Sequence, residues 1–266
     1  TGAVLGSSLP GFKASEWGSA NCLWMTIPCL LLLMFFYTKL IRYSSQQKVD
    51  IAEGSNLEPK GSIKEGIKII AQSKVLFYVL LLVSFMQISA TIVYYQFNEL
   101  VETTISQQDL RTELYGKALG IINVATVLLQ LFGSFLLVQL FGLRRSHLSI
   151  PILLGISTLA SLMVPGGAMI MFSFITIKAF DFSLFAVIKE MLYVPLSREE
   201  KFQAKAIIDV FAYRTSKVLA SFCILFFEWL RLPFLSLSWC LLALFILWFM
   251  TVLRLFRLQE LQPYKA

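Results

Sequence analysis

Histidine is almost missing from this chain: His147 stands alone among 266 residues. The four cysteines, Cys22, Cys29, Cys223 and Cys240, form no Cys-x-x-Cys pair and lie in apolar surroundings, so they read as packing residues rather than a metal or redox centre. No acidic cluster has metal-ligand spacing, and no nucleophile sits beside a base. An enzyme is therefore not expected, nor is any cofactor or metal. Charge is scarce too, at 15% of residues, where a soluble domain carries about a quarter. The short alternating segments of a β-barrel do not dominate. No basic stretch followed by a short apolar core and a cleavage site opens the chain, and neither does an initiator methionine. The expectation is a processed product or a piece of something longer.

Apolar runs fill the space that charge leaves. Hydrophobic residues make up 57% of the chain and mean hydropathy is +0.73. Several runs reach the roughly 20 residues that a helix needs to cross the hydrocarbon of a bilayer. Read in order, they fall near 19–42, 75–98, 118–142, 148–164, 168–194, 198–230 and 234–253. The fold class is thus an all-α polytopic membrane bundle of about seven transmembrane helices. Trp17, Trp24, Tyr37, Lys39 and Arg42 anchor the ends of the first span, and Pro28 should kink it. Ser197 and Glu200 have capping-box spacing after Pro195, which starts the long sixth helix. Gly116 and Gly120, four apart, permit a close helix approach.

Four regions follow: an N-terminal segment and first span, 1–42; a basic linker, 43–74; a six-helix bundle, 75–256; and a tail, 257–266. Within the linker Ser62 and Glu65 have capping-box spacing, while Ile63, Ile67 and Ile70 share one face and Lys64 and Lys68 another. A short surface helix is expected there, lying on the membrane or packed against neighbouring loops. The net charge of +7 fits basic loops against anionic lipid rather than nucleic acid. Lysines and arginines concentrate in the linker, at Arg144 and Arg145, around Arg198 to Lys205 and in the tail. That asymmetry puts the linker and C-terminus on the cytoplasm-like side. One span, a long basic linker and six further spans match helices six to twelve of a twelve-helix transporter of the major facilitator type. The first half, a second copy or other membrane subunits would then be its partners, besides membrane lipid.

The hairpin from Lys178 to Lys217 carries Lys178, Asp181, Lys189, Glu190, Asp209, Arg214 and Lys217 between apolar runs. Charge at bilayer depth costs on the order of 3 kcal/mol per group, so such residues face a bundle interior or a cavity. At 100° per residue Lys178, Phe182, Phe185 and Lys189 share a stripe with Asp181 beside it, and Asp209, Tyr213 and Lys217 share another with Arg214 at its margin. Lys178, Arg214 and Lys217 would bind an anion, with Arg gripping phosphate through parallel hydrogen bonds. Tyr213, Phe182 or Phe185 would stack on a planar ring, while Asp181, Asp209, Lys189 and Glu190 would gate or pair. The alternative is that Lys178–Asp181 and Asp209 with Lys217 or Arg214 are internal ion pairs fixing helix register. Lys189, Glu190 and Lys205 would then lie at headgroup level.

The run Lys189–Glu190–Met191–Leu192–Tyr193–Val194–Pro195–Leu196, followed by Lys205–Ala206–Ile207–Ile208–Asp209, resembles the signature of the ATP/ADP translocase family of plastids and intracellular bacteria. FDFSLF at 180–185 and GIKIIAQSK at 66–74 resemble it as well. The resemblance implies a twelve-helix fold that exchanges nucleotides across a bacterial inner membrane or an organelle membrane. Tyr94 and Asn98 stand where classical exchangers carry Glu and Lys, and Tyr213 to Lys217 keeps the lysine of an Asn-Pro-Leu-Gly-Lys run without its Pro and Gly. This resembles the divergent branch of the family. The expected function is half of a secondary transporter for a nucleotide or other phosphorylated anion. The alternative is a transport-inactive structural or regulatory subunit that keeps the fold.

Overall fold

A computed structural model describes residues 2–47, 70–164, 166–194, 201 and 204–260. Its helices are α1 (Gly2–Trp17), α2 (Ser19–Trp24), α3 (Thr26–Gln47), α4 (Lys74–Thr104), α5 (Gln108–Leu128), α6 (Ser134–Met163), α7 (Gly167–Phe180), α8 (Ala186–Leu192), α9 (Tyr213–Trp229) and α10 (Ser236–Glu260). Among the described residues there are no strands, and seven helical stretches are long and apolar enough to cross a membrane. The all-helical, seven-span architecture expected from the apolar runs is the one observed. The expected linker helix lies outside the described residues, as does the capping box at Ser197.

Helix α4 is the centre of the bundle. It touches α7, α9 and α10, and buries Leu76, Val79, Val83, Met86, Ala90, Val93, Phe97 and Val101. Those positions repeat every three or four residues, which lines one helical face. Phe97 stacks on Phe174 of α7 with ring centres 4.3 Å apart. Ser73 caps the helix, its hydroxyl accepting from the Leu76 amide at 3.4 Å.

Between Gln108 and Met163 the helical ladder is nearly continuous, yet it holds two spans. Gly142 divides them at φ 74°, ψ 163°, a left-handed backbone that glycine adopts without steric cost. The reversal shows in the partners on either side. Before it, Gln130 donates to the Phe182 carbonyl at 2.7 Å; after it, the Ser157 carbonyl accepts from Ser173 at 3.1 Å. Both partners lie on the next span, Gly167–Leu192, and a straight helix through Gly142 could not reach both. The break agrees with the sequence expectation.

The N-terminal segment is more ordered than the sequence indicates. Residues 2–17 form a helix that packs along α5. Gly11 and Gly116 meet backbone to backbone; a β-carbon on Gly11 would lie 2.7 Å from the Gly116 carbonyl carbon. Asn123 donates to the Ala3 carbonyl at 3.0 Å and to Ser7 Oγ at 3.1 Å, and the Ser19 amide donates to Asp109 at 2.7 Å. Small residues let the backbones approach, and polar residues then join them. Helix α3 differs: every side chain from Thr26 to Tyr43 is exposed. Pro28 has no N–H for the carbonyl of Trp24, and the ladder breaks next to it at Met25.

Candidate functional site

Among the described residues three helical segments carry π rather than α bonding: Leu129–Gly133, Asp181–Phe185 and Ile207–Ala212. The last two contain Asp181 and Asp209, the two aspartates of the charged hairpin. A π turn closes i→i+5 bonds and so takes an extra residue per turn, and such turns are frequent at functional sites. It also shifts every later side chain around the helix axis. Stripes drawn at 100° per residue slip where they cross one.

Phe185 shows the slip. It is 3% exposed and meets Trp248 of α10 edge-on, ring centres 5.7 Å apart, so it belongs to the core rather than to the stripe of Lys178 and Phe182. Phe182 is 45% exposed, on the open side. Lys178 Nζ lies 5.8 Å from the Phe182 ring centre and 5.5 Å from that of Tyr94 on α4. Tyr94 in turn packs on Phe174. The ammonium of Lys178 thus sits between two aromatic faces, held by their quadrupoles.

Asp181 is buried, and its Oδ1 accepts from Gln87 Nε2 of α4 at 2.9 Å. It is within electrostatic range of Lys178, Lys217 and Lys189, but among the described residues it has no ion-pair partner within bonding distance. The Lys178–Asp181 ion pair weighed from the sequence is therefore replaced by an amide hydrogen bond. Asp209 pairs with neither Lys217 nor Arg214. Lys189 Nζ donates to its Oδ1 at 2.7 Å, with both side chains partly buried. Lys205 and Glu190 form a second, more exposed pair at 2.8 Å. These two bridges fasten α8 to the segment 204–209.

On α9, Lys217 bends back over Tyr213. Its Nζ is 4.2 Å from the ring centre and donates to the hydroxyl at 3.0 Å. That pairing follows from i,i+4 spacing beyond the π turn. Arg214 points elsewhere; its side chain is exposed and has no hydrogen-bond or ion-pair partner among the described residues. Tyr193 is fully buried, and its hydroxyl has no hydrogen-bond partner among the described residues.

The structure therefore brings together Lys178, Asp181, Phe182, Lys217 and Tyr213, sets Lys189–Asp209 and Glu190–Lys205 beside them as bridges, and excludes Phe185. Gln87 and Tyr94 join the cluster from α4. Gln87 was legible only as a polar residue in mid-span; nothing in the spacing ties it to Asp181. His147 lies apart, buried against Phe256, its Nδ1 donating to the Leu143 carbonyl at 3.0 Å.

No curated protein and no solved structure matches the chain. The family model described as TLC ATP/ADP transporter matches residues 145–258. That range takes in the α7–α9 hairpin with its lysines, both acidic π turns and the two bridges. Over residues 145–258, then, this multi-pass membrane protein is similar to the TLC ATP/ADP transporter family.

Proposed function

We propose that the chain is the substrate-binding half of a secondary carrier for a nucleotide or another phosphorylated anion. The observation that carries this reading is the environment of Lys178 and Lys217. Both are inside membrane-spanning helices, and each has an aromatic ring rather than a carboxylate as its near partner. Of the neighbouring carboxylates Asp209 is engaged by Lys189 and Glu190 by Lys205, while Asp181 accepts a hydrogen bond from the Gln87 amide. Cationic charge is left for a solute, with Tyr94, Phe182 and Tyr213 as flat surfaces for a base. Arg214 is available at the margin.

A carrier of this kind alternates between two access states by rocking one half against another. The complementary half comes from the same gene, a second copy or another subunit. The basic linker and tail belong on the cytoplasm-like side of a bacterial inner membrane or an organelle membrane, on the strength of the charge asymmetry between alternate loops.

The test is a thermal-shift titration of the purified protein, with its complementary half, against nucleotides and inorganic phosphate. Ligand at about 100 times Kd adds roughly 2.7 kcal/mol to apparent stability. A shift with one nucleotide class, lost in Lys217→Ala and Lys178→Ala, supports the carrier. No shift at millimolar ligand in folded protein favours the transport-inactive subunit instead.

A further inference from the structure

The amide of Gln87 has an oxygen left over. The residue is 2% exposed, its Nε2 donates to Asp181 Oδ1, and its buried Oε1 has no hydrogen-bond partner among the described residues. Native interiors seldom leave an acceptor in that state. Asp181, 8% exposed in the middle of the span Gly167–Leu192, presents the complementary shortfall. As a carboxylate it would have little water and, among the described residues, no cation at bonding distance. Both shortfalls close together when Asp181 is a neutral acid. Its O–H then donates to Gln87 Oε1 while Gln87 Nε2 donates to the other oxygen, an acid–amide pair with two hydrogen bonds.

We propose that Asp181 and Gln87 form a proton-binding site, and that the proton it holds is coupled to occupancy of the neighbouring anion site. The proton arrives from water, resides on a carboxyl oxygen of Asp181 and leaves to water as that carboxyl ionises; no other bond forms or breaks. The charged groups acting on Asp181 are Lys178 on α7, Lys189 on α8 and Lys217 on α9. From the other packed elements, α4 presents Gln87, and the turn Leu129–Gly133 presents Gln130, whose amide is spent on the Phe182 carbonyl. Lys189 is committed to Asp209. Lys178 and Lys217 are therefore the cations that compensate Asp181 once it ionises.

An anion held by those two lysines withdraws that compensation, so occupancy shifts Asp181 further toward the neutral acid than it lies in the empty site. This coupling rests on the carrier reading; the proton site itself does not. Linkage is reciprocal: each anion bound takes up a proton, and anion affinity weakens roughly tenfold per pH unit wherever the empty site is ionised and the occupied one protonated. Proton and anion would move together.

The experiment is infrared difference spectroscopy of the full chain across a pH titration, first without nucleotide. The carbonyl stretch of a buried neutral acid is expected in the wild type, lost on ionisation and absent in Asp181→Asn. In Gln87→Met the band should persist at a shifted frequency, because the acid has lost its amide partner. An unchanged acid band in folded Asp181→Asn overturns the site, as does displacement of the band by sodium ions at constant pH. The second arm measures ATP affinity above about pH 8, where ionisation of the terminal phosphate is close to complete. A slope in the wild type that flattens in Asp181→Asn supports the coupling, and equal slopes overturn it. An Asp181 band in a protein that binds no nucleotide keeps the proton site and removes the carrier reading.

Discussion

Lys189 on α8 donates to Asp209, in the π turn before α9, at 2.7 Å, and so ties the two arms of the charged hairpin together. Side-chain exposures of 15% and 26% place this pair where water screens it poorly. A double-mutant cycle of Lys189→Met and Asp209→Asn, read by thermal unfolding, should give a coupling of about 1–3 kcal/mol. The same cycle at Lys205 and Glu190, with side chains 39% and 42% exposed, should give less than about 1 kcal/mol. Equal couplings would mean that the environments of the two bridges do not differ in this way.

Two phenylalanines three positions apart should behave as opposites. Phe185→Ala removes a ring packed on Trp248 and should cost about 3–5 kcal/mol while leaving nucleotide affinity intact in whatever folds. Phe182→Ala should leave stability within about 0.5 kcal/mol and weaken nucleotide binding. Binding titrations beside unfolding curves separate the two, and the reverse pattern would contradict the assignment of faces around the π turn.

The contrast also marks what the sequence could and could not convey. Span number, the reversal at Gly142 and the pairing of Tyr213 with Lys217 follow from run length, a glycine and i,i+4 spacing, all local signals. The fate of Phe185 and of Asp209 was not legible, because a π turn adds its extra residue without any composition to announce it. The partnership of Gln87 with Asp181 spans 94 positions, and helical periodicity says nothing across that distance. Helix α1 escaped for a different reason. Its small and polar residues have no apolar stripe, since its packing surface is the glycine and serine face that meets α5.

That face supplies another prediction. Gly11→Leu or Gly116→Leu should separate α1 from α5, because even one β-carbon at Gly11 meets the Gly116 backbone at 2.7 Å. Overpacking of this kind costs about 1–3 kcal/mol. Cysteines placed at Ser7 and Gly120, which adjoin in the fold, should cross-link in the parent chain and fail to do so in the leucine variants. Undiminished cross-linking would show that the crossing tolerates bulk.

Ser238 and Gln96 offer a milder test. Gln96 Nε2 donates to Ser238 Oγ at 2.9 Å between α4 and α10, both residues buried. Ser238→Ala should cost about 1–2 kcal/mol by stranding the amide, measured as a lowered unfolding midpoint. No loss would indicate that the amide finds a new acceptor.

Gly142 governs more than a local bend. Without its left-handed turn, residues 108–163 would run on as a single rod of about 84 Å at 1.5 Å per residue, far longer than any bilayer is thick. One crossing would be lost and the parity of all later crossings reversed. Lys178, Asp181 and Lys217 would then be read from the opposite face of the membrane. The sidedness of the whole charged hairpin thus depends on one residue without a side chain, some 36 positions upstream of Lys178.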